Sequence, residues 1–211
     1  MMSAPHIAAA LMMNPLPALL LVVIFLSVML MLGSRRHETA CQRRHRRYRA
    51  AAERVMTKLP QLEGEAQRLT YLRKINPYVF EELLLFAFEL QGYAIARNAS
   101  YSGDGGLDGT VFIAGRTYFI QAKRYGKAIT PSHIRDFGAL LQDARCEGFF
   151  IHTGRTGQLS RALLQAHPRV HLISGQKLLA LLAGNAEWLS FLSGKTVTKG
   201  GIPNVSEGRV S

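Results

Sequence analysis

The stretch SGDGGLDGTVFIAGRTYFIQAKRY, residues 102–125, decides the fold. Two apolar segments flank a short turn, AGR at 114–116, which is the pattern of a β-hairpin. The first segment nevertheless carries Asp108, and the second carries Gln121 and Lys123 among strand-forming Ile and Phe residues. The residues around the hairpin must show whether these polar side chains lie on the surface or form a site.

Helices and strands predicted on both sides of the hairpin make an α/β domain. Before the hairpin, Asn76 and Pro77 are typical of a helix N-cap and first residue, Gly92 is typical of the position after the last turn, and a strand follows at 93–97. After the hairpin, helices and short apolar strands alternate over 130–147, 148–154, 158–168, 170–174 and 175–184. The order α-β-β-β-α-β-α-β-α indicates a mixed sheet flanked by helices.

Strand alternation brings three polar side chains of the hairpin together. Gln121 and Lys123 share one face, about 7 Å apart at ~3.3 Å per residue. Pairing around the turn places Asp108 near the latter half of the second strand, within reach of Lys123. Alternation alone leaves a second interpretation open, in which Gln121 and Lys123 lie on the solvated face of an edge strand.

The first helix of the domain offers a further acid. Glu81 has apolar residues at i+3, i+4 and i+7, so it is predicted to project towards the apolar side, whereas Glu82 and Glu89 share a stripe predicted to be solvated. Glu81, Asp108 and the amide oxygen of Gln121 are hard ligands of the kind that suit Mg²⁺. A lysine beside them could stabilise a developing negative charge.

An apolar run precedes the domain. LPALLLVVIFLSVMLML, residues 16–32, contains no formal charge and is long enough to cross a hydrocarbon core of about 30 Å. It predicts one transmembrane helix at about 15–33, within an N-terminal segment 1–33. A cleaved signal peptide is disfavoured, since residues 1–14 hold no Lys or Arg and Arg35 follows the run. A buried core helix is the third interpretation.

An arginine-rich segment follows the apolar run. Seven arginines between 35 and 49, less Glu38, carry +6, half of the net charge of +12. The positive-inside rule then predicts a single-pass protein of the inner (plasma) membrane with its C-terminal domain in the cytoplasm, which two separated cysteines also suit. These arginines could bind either anionic lipid headgroups or a nucleic-acid backbone.

Composition divides the chain into four parts. The segment 1–33 is followed by a basic juxtamembrane connector at 34–75 and the folded domain at 76–184. The tail at 185–211 is expected to be flexible.

Four stretches of the folded domain resemble a known family. They are FEELLLFAFELQGYAI, GDGGLDG, QAKRY and GFFIHTGRTGQLSRAL, and in order and spacing they are similar to the catalytic domain of Mrr-like restriction endonucleases, within the PD-(D/E)xK nuclease superfamily. The resemblance covers about 76–183 and implies a restriction-endonuclease-like fold. It further implies that Asp108 is the central metal ligand, Gln121 a second ligand through its side-chain oxygen, Lys123 the catalytic lysine, and Glu81 the acid on the first helix.

The resemblance implies hydrolysis of phosphodiester bonds with Mg²⁺, or Mn²⁺, and without a small-molecule cofactor. DNA is the expected partner. Four basic residues could bind the DNA backbone: Arg124, Lys127, Arg135 and Arg155. Each of them could instead be a surface charge that only contacts solvent. A homodimer would supply the two active sites that cutting both strands at once usually takes, but no residue decides this.

The chain departs from many relatives in one respect. Family members often carry a separate DNA-recognition domain, whereas here the apolar segment and the arginine-rich connector take that place. The first hypothesis is therefore a membrane-anchored, Mg²⁺-dependent DNA endonuclease acting on the cytoplasmic side. The second is a membrane-tethered, non-catalytic DNA-binding module of a defence or DNA-transfer system. RNA as the substrate is a third possibility.

Overall fold

The computed structural model describes residues 15–33, 40–98 and 107–190. By contacts the chain divides into two units, residues 1–43 and 44–211. In the first unit, helix α1 spans Pro15–Gly33, and nearly all of its described side chains are exposed. Sequence analysis predicted a transmembrane helix here. A helix does form, but among the described residues none is long and apolar enough to cross a membrane, so the predicted anchor is not supported.

A five-stranded mixed sheet lies at the centre of the second unit, in the order β1-β2-β3-β4-β5. The first three strands are antiparallel, and β3, β4 and β5 run parallel. The bounds are Ala94–Ala96, Gly109–Ile113, Arg116–Lys123, Glu147–His152 and Val170–Ser174. The predicted mixed α/β fold is confirmed.

The hairpin closes at the turn that the sequence indicates. Ile113 pairs with Arg116, which leaves a two-residue loop of Ala114 and Gly115. Both residues have positive φ, 49° and 74°, as the tight turns that match the twist of the flanking strands require. This turn sets the register of β2 against β3.

Helices cover both faces of the sheet. The predicted N-cap of the first helix of the domain is confirmed, since the Asn76 side chain accepts a hydrogen bond from the Tyr78 backbone N–H at 2.9 Å. The helices are α2 Ala40–Lys58, α3 Gly64–Leu72, α4 Pro77–Leu90, α5 Pro131–Asp143, α6 Gln158–Ala166 and α7 Gln176–Leu182, with 3-10 turns at Leu59–Gln61 and Ala186–Leu189.

Alternating side chains of the central strands build two cores. Phe149 and Ile151 of β4 enter the larger core with α4 and α7, while Phe150 enters the smaller core with Phe137 of α5. Successive strand residues point to opposite faces, so one apolar run serves both layers. This explains why the run GFFI is buried without interruption.

The packed unit extends beyond 76–184 on both sides. Ala52 and Val55 of α2 and Leu72 of α3 are buried in the larger core, although their segment is predicted as a connector. Beyond 184, Trp188 is fully buried, and its indole N–H donates to Gln91 Oε1 at 2.9 Å. The remainder of the predicted flexible tail, from 191 onward, lies outside the described residues.

Candidate active site

Asp108 lies just before β2 and is fixed against β3. Its backbone N–H donates to Ile120 O at 2.8 Å, and its Oδ2 accepts from the Ala122 backbone N–H at 2.6 Å. The pairing of Gly109 with Ile120 continues to place Asp108 opposite Gln121. The position expected for Asp108 from the hairpin is thus the one observed.

Gln121 and Lys123 lie on the middle strand of the sheet. β3 has β2 on one side and β4 on the other, so the edge-strand interpretation is wrong. Gln121 is buried, with 8% of its surface exposed, and Lys123 is half-buried at the end of the strand. A side chain in this position belongs to a site within the protein rather than to a solvated face.

A glycine allows α4 to approach this site closely. A Cβ added at Gly109 would lie 2.7 Å from Leu85 Cδ2, so a larger residue would require the Leu85 side chain to move. Glu81 lies one turn before Leu85 on the same side of α4. Close packing at Gly109 therefore brings the Glu81 carboxyl towards Asp108, the neighbour of that glycine.

The pKa shifts of the two acids indicate that the charge of Asp108 acts on Glu81. Burial, and next the negative charge of Asp108, raise the pKa of Glu81 to about 8, against an opposing effect of Lys123. Burial also raises the pKa of Asp108 to about 6, although the Ala122 N–H and the Lys123 charge act in the opposite direction. Strongly shifted acids beside a specific cation are typical of functional sites.

The three oxygen donors are of the chemical type that a small divalent cation prefers. Glu81, Asp108 and Gln121 offer two carboxylates and an amide oxygen, which are hard ligands. In the described parts of the chain, no group of three or more His, Cys, Asp or Glu side chains could hold a metal ion. The set here has only two acids, which suits Mg²⁺, because this ion commonly uses one or two carboxylates together with water and substrate phosphate.

The four basic residues predicted to hold DNA differ in their surroundings. Arg124 is half-buried, and its guanidinium donates to the backbone carbonyl of Arg73, so part of its hydrogen-bonding capacity serves the fold. Lys127, Arg155 and Arg135 are exposed. The backbones of Lys127 and Arg155 pair, since Arg155 N donates to Lys127 O at 3.2 Å, which brings these two residues together beyond the ends of β3 and β4.

Thr153 is a site residue that sequence analysis missed. Its hydroxyl accepts from the Tyr125 backbone N–H at 3.0 Å and donates to the Tyr125 carbonyl at 2.9 Å, while its own N–H donates to Lys123 O at 3.3 Å. Arg73 Nε in turn donates to Thr153 O at 2.9 Å. This cluster holds the backbone that follows Lys123. The hint that the sequence offered was the position of Thr153, which directly follows β4, the strand that pairs in parallel with β3.

His133 was assigned no role from the sequence, and the structure places it near the site. Its ring stacks on Tyr125, with centroids 5.7 Å apart and planes 11° apart. Burial, and next the positive charge of Lys123, lower the pKa of His133. The imidazole therefore lies within the electrostatic range of the lysine.

Glu82 is not solvated, contrary to the helical-wheel prediction. It is only 2% exposed, and its Oε2 accepts from Arg97 Nε at 3.0 Å. Arg97 also forms two hydrogen bonds with Glu89, at 2.8 and 2.7 Å, and these lower the pKa of Glu89. The partner arginine follows β1, so a wheel drawn for the helix alone could not reveal it.

Comparison with known proteins identifies the family of the chain. The Mrr catalytic-domain model, described as a restriction endonuclease, matches residues 72–182. The type IV methyl-directed restriction enzyme EcoKMrr of Escherichia coli (strain K12) is 27% identical over 125 residues, which are 56% of this chain and 41% of that relative. The chain thus spans less than half of the relative's length.

One solved structure, that of the restriction endonuclease FokI, matches with a TM-score of 0.42 and 14% identity, over 56% of this chain and 26% of the FokI chain. The match to the Mrr model extends from the end of α3 to the end of α7 and thus includes every residue of the site. Because that match covers more than half of the sequence, the chain belongs to the Mrr catalytic-domain family of restriction endonucleases.

Proposed function

We propose that this chain is a Mg²⁺-dependent DNA endonuclease that hydrolyses phosphodiester bonds, with Mn²⁺ as a possible substitute for Mg²⁺. The observation that carries the proposal is that two half-buried acids with raised pKa values, Glu81 and Asp108, interact electrostatically with Lys123 at the end of a central strand. Two such acids resist ionising together, and a divalent cation would favour the ionised form of both.

The residues of the site have separate roles in the proposed reaction. A cation held by Glu81, Asp108 and Gln121 would supply charge neutralisation at the scissile phosphate and a lowered pKa for a bound water. Lys123 donates hydrogen bonds to the attacking hydroxide or to the phosphate oxygens as negative charge develops there. The Ala122 N–H fixes the orientation of the Asp108 carboxylate before the substrate arrives.

The identity of the substrate rests on the family. DNA is the substrate expected of a restriction endonuclease, and Lys127 and Arg155 are placed where they could contact its backbone beyond the strand ends. The relative from Escherichia coli is described as methyl-directed. Because this chain spans 41% of that protein, methylated DNA is one substrate to be compared with unmethylated DNA and with RNA.

Three further predictions are separate from the catalytic proposal. Membrane attachment, an inner-membrane location with a cytoplasmic domain, and a homodimer rest on the sequence arguments alone. Fractionation of cells and the mass of the purified particle would test them. The chemistry proposed for Asp108 and Lys123 does not depend on any of the three.

The test is cleavage by the full-length chain purified in mild detergent. Methylated and unmethylated supercoiled plasmid, single-stranded DNA and RNA are each incubated with Mg²⁺, with Mn²⁺ and with EDTA. Lys123→Ala is compared with Lys177→Ala, since Lys177 is an exposed lysine of α7 away from the site. We expect cation-dependent cleavage that Lys123→Ala abolishes and Lys177→Ala retains.

Other outcomes would change the assignment. Cation-independent binding without cleavage of any substrate would contradict the enzyme and favour the non-catalytic DNA-binding module. Cleavage of RNA alone would retain the chemistry and replace the substrate. Equal cleavage by Lys123→Ala and the wild-type chain would refute the role given to this lysine.

A further inference from the structure

Helix α2 carries a basic surface outside the part of the chain that the family model matches. Its 19 residues hold seven Lys or Arg and one Glu, a balance of +6, whereas residues 77–183 have a balance of only +3. The family match begins at residue 72. Among the described residues, the largest concentration of positive charge thus lies on helix α2, which precedes the matched domain.

One side of α2 is committed to the nuclease domain. Ala52, Val55 and Leu59, which directly follows the helix, are no more than 5% exposed and belong to the larger core. Tyr48 packs on Tyr78, with ring centroids 5.4 Å apart. The packing makes α2 an integral layer of the fold rather than a loose linker.

Polar contacts reinforce this docking. His45 Nδ1 lies 3.4 Å from Glu82 Oε1, and Arg49 lies 3.3 Å from Glu89 Oε2. Both acids belong to α4, the helix that carries Glu81 of the candidate site. The position of α2 is therefore set relative to the active-site helix.

Four of the exposed cations of α2 lie close together around the helix axis. Arg44, Arg47, Arg54 and Lys58 are all exposed, and at ~100° per residue they fall within about 80° of one another around the helix axis. At ~1.5 Å per residue they span about 21 Å. We call these four residues the α2 basic stripe.

We propose that the α2 basic stripe binds the phosphate backbone of duplex DNA and extends the DNA-binding surface of the nuclease domain. The inference rests on the proposed function, because it assigns the contacts that hold DNA while the site acts. A length of about 21 Å matches roughly six successive phosphates of one strand at ~3.4 Å each. Backbone contacts of this kind increase affinity without reading sequence.

The packing of α2 favours DNA over a lipid surface. Helices that lie in a membrane interface insert an apolar face between the lipids. The apolar residues of α2 are instead buried in the protein core, with Ala52 at 0% and Val55 at 5% exposure. The stripe thus presents charge without an apolar face to insert, and it is fixed to a domain of a restriction-endonuclease family, which favours a polyphosphate backbone as its partner.

The test compares two charge-matched triple variants of the full-length chain. One replaces the stripe as Arg44→Gln, Arg47→Gln and Arg54→Gln. The control removes the same charge from exposed residues of the rest of the domain as Arg161→Gln, Arg169→Gln and Lys177→Gln. Thermal unfolding first establishes that both variants fold as the wild-type chain does.

Binding is measured by fluorescence anisotropy on a short duplex in EDTA, over a series of salt concentrations. For the stripe variant we expect at least about a tenfold weaker affinity and a salt dependence shallower by up to about 2.7, since each phosphate contact contributes ~0.9 to the slope of log K against log salt. The control is expected to lose less than about threefold. Equal losses in the two variants, or none in the stripe variant, would overturn the proposal.

Binding to vesicles of phosphatidylcholine, with and without phosphatidylserine, tests whether the stripe binds anionic lipid instead of DNA. Loss of binding to the anionic vesicles in the stripe variant, with duplex binding unchanged, would overturn the assignment to DNA and transfer the stripe to lipid. Cleavage at saturating DNA distinguishes a failure of the proposed DNA contact from a failure of the proposed catalytic function. A stripe variant that binds weakly but cuts at the wild-type rate once saturated supports the proposal, whereas a wild-type chain that binds without cutting defeats only the catalytic function.

Discussion

Replacing Glu81 by Gln should make the metal-free chain more stable at alkaline pH. Folding raises the pKa of this carboxyl from 4.5 to about 8, chiefly through burial and the nearby Asp108 charge. The folded state therefore prefers the neutral acid. The associated stability is fully present below about pH 4.5 and is lost as the pH rises through about 8. Gln keeps the shape and hydrogen-bonding capacity but never ionises.

The size of the effect follows from the shift of that pKa. At ~1.4 kcal/mol for each tenfold change in proton affinity, the shift of Glu81 corresponds to at most about 5 kcal/mol. The carboxyl retains access to solvent, so screening should reduce this to about 2 kcal/mol. Glu81→Gln should thus match the wild-type free energy of unfolding near pH 4 and exceed it by about 2 kcal/mol near pH 9.

The assay is urea unfolding of the full-length chain in EDTA across this range of pH, with Asp143→Asn as the control at an exposed acid of α5. Mg²⁺ is then added at alkaline pH. It should stabilise the wild-type chain more than Glu81→Gln, because a bound cation favours the ionised acid. A difference that does not vary with pH, or equal stabilisation of both chains by Mg²⁺, would refute the reasoning.

Three further substitutions test how the site and the core are held. Thr153→Val should lower the free energy of unfolding by about 1–3 kcal/mol in urea, since it leaves both backbone groups of Tyr125 without this hydroxyl, and Thr153→Ser should recover most of the loss. Arg97→Met leaves the Glu82 charge buried and should cost about 3–5 kcal/mol in the same assay; a cost under about 1 kcal/mol would contradict the ion pair. Trp188→Ala should cost about 3–5 kcal/mol in thermal or urea unfolding, and a nearly neutral result would place residues 185–190 outside the core.

The hairpin, and the proximity of the polar residues that it brings together, could be predicted from the sequence. Asp108, Gln121 and Lys123 lie on two strands joined by a two-residue turn, so their proximity is a matter of local register. Period-2 alternation and turn chemistry are short-range signals, and both held. Glu81 was proposed from the apolar residues that follow it on the helix and then assigned its role through the family resemblance, and close packing at Gly109 supplies the physical reason.

The remaining contacts depend on tertiary structure and were not predictable from local patterns. Glu82 looks solvated on a wheel of its own helix, but Arg97 reaches it from the end of β1. The Thr153 hydroxyl forms hydrogen bonds with the Tyr125 backbone, and these can form only when β3 and β4 pair. Burial of Trp188 likewise requires Gln91, almost a hundred residues earlier in the chain.

Single-turnover cleavage by the full-length chain on DNA already bound tests whether Asp108 holds the catalytic cation. Asp108→Asn preserves the size of the side chain and removes the charge proposed to hold the cation. We expect the wild-type protein to nick or linearise the bound DNA when Mg²⁺ is added, and Asp108→Asn to bind the same DNA without cutting it. Cleavage by Asp108→Asn at the wild-type rate, or wild-type cleavage that continues in EDTA, would contradict this assignment.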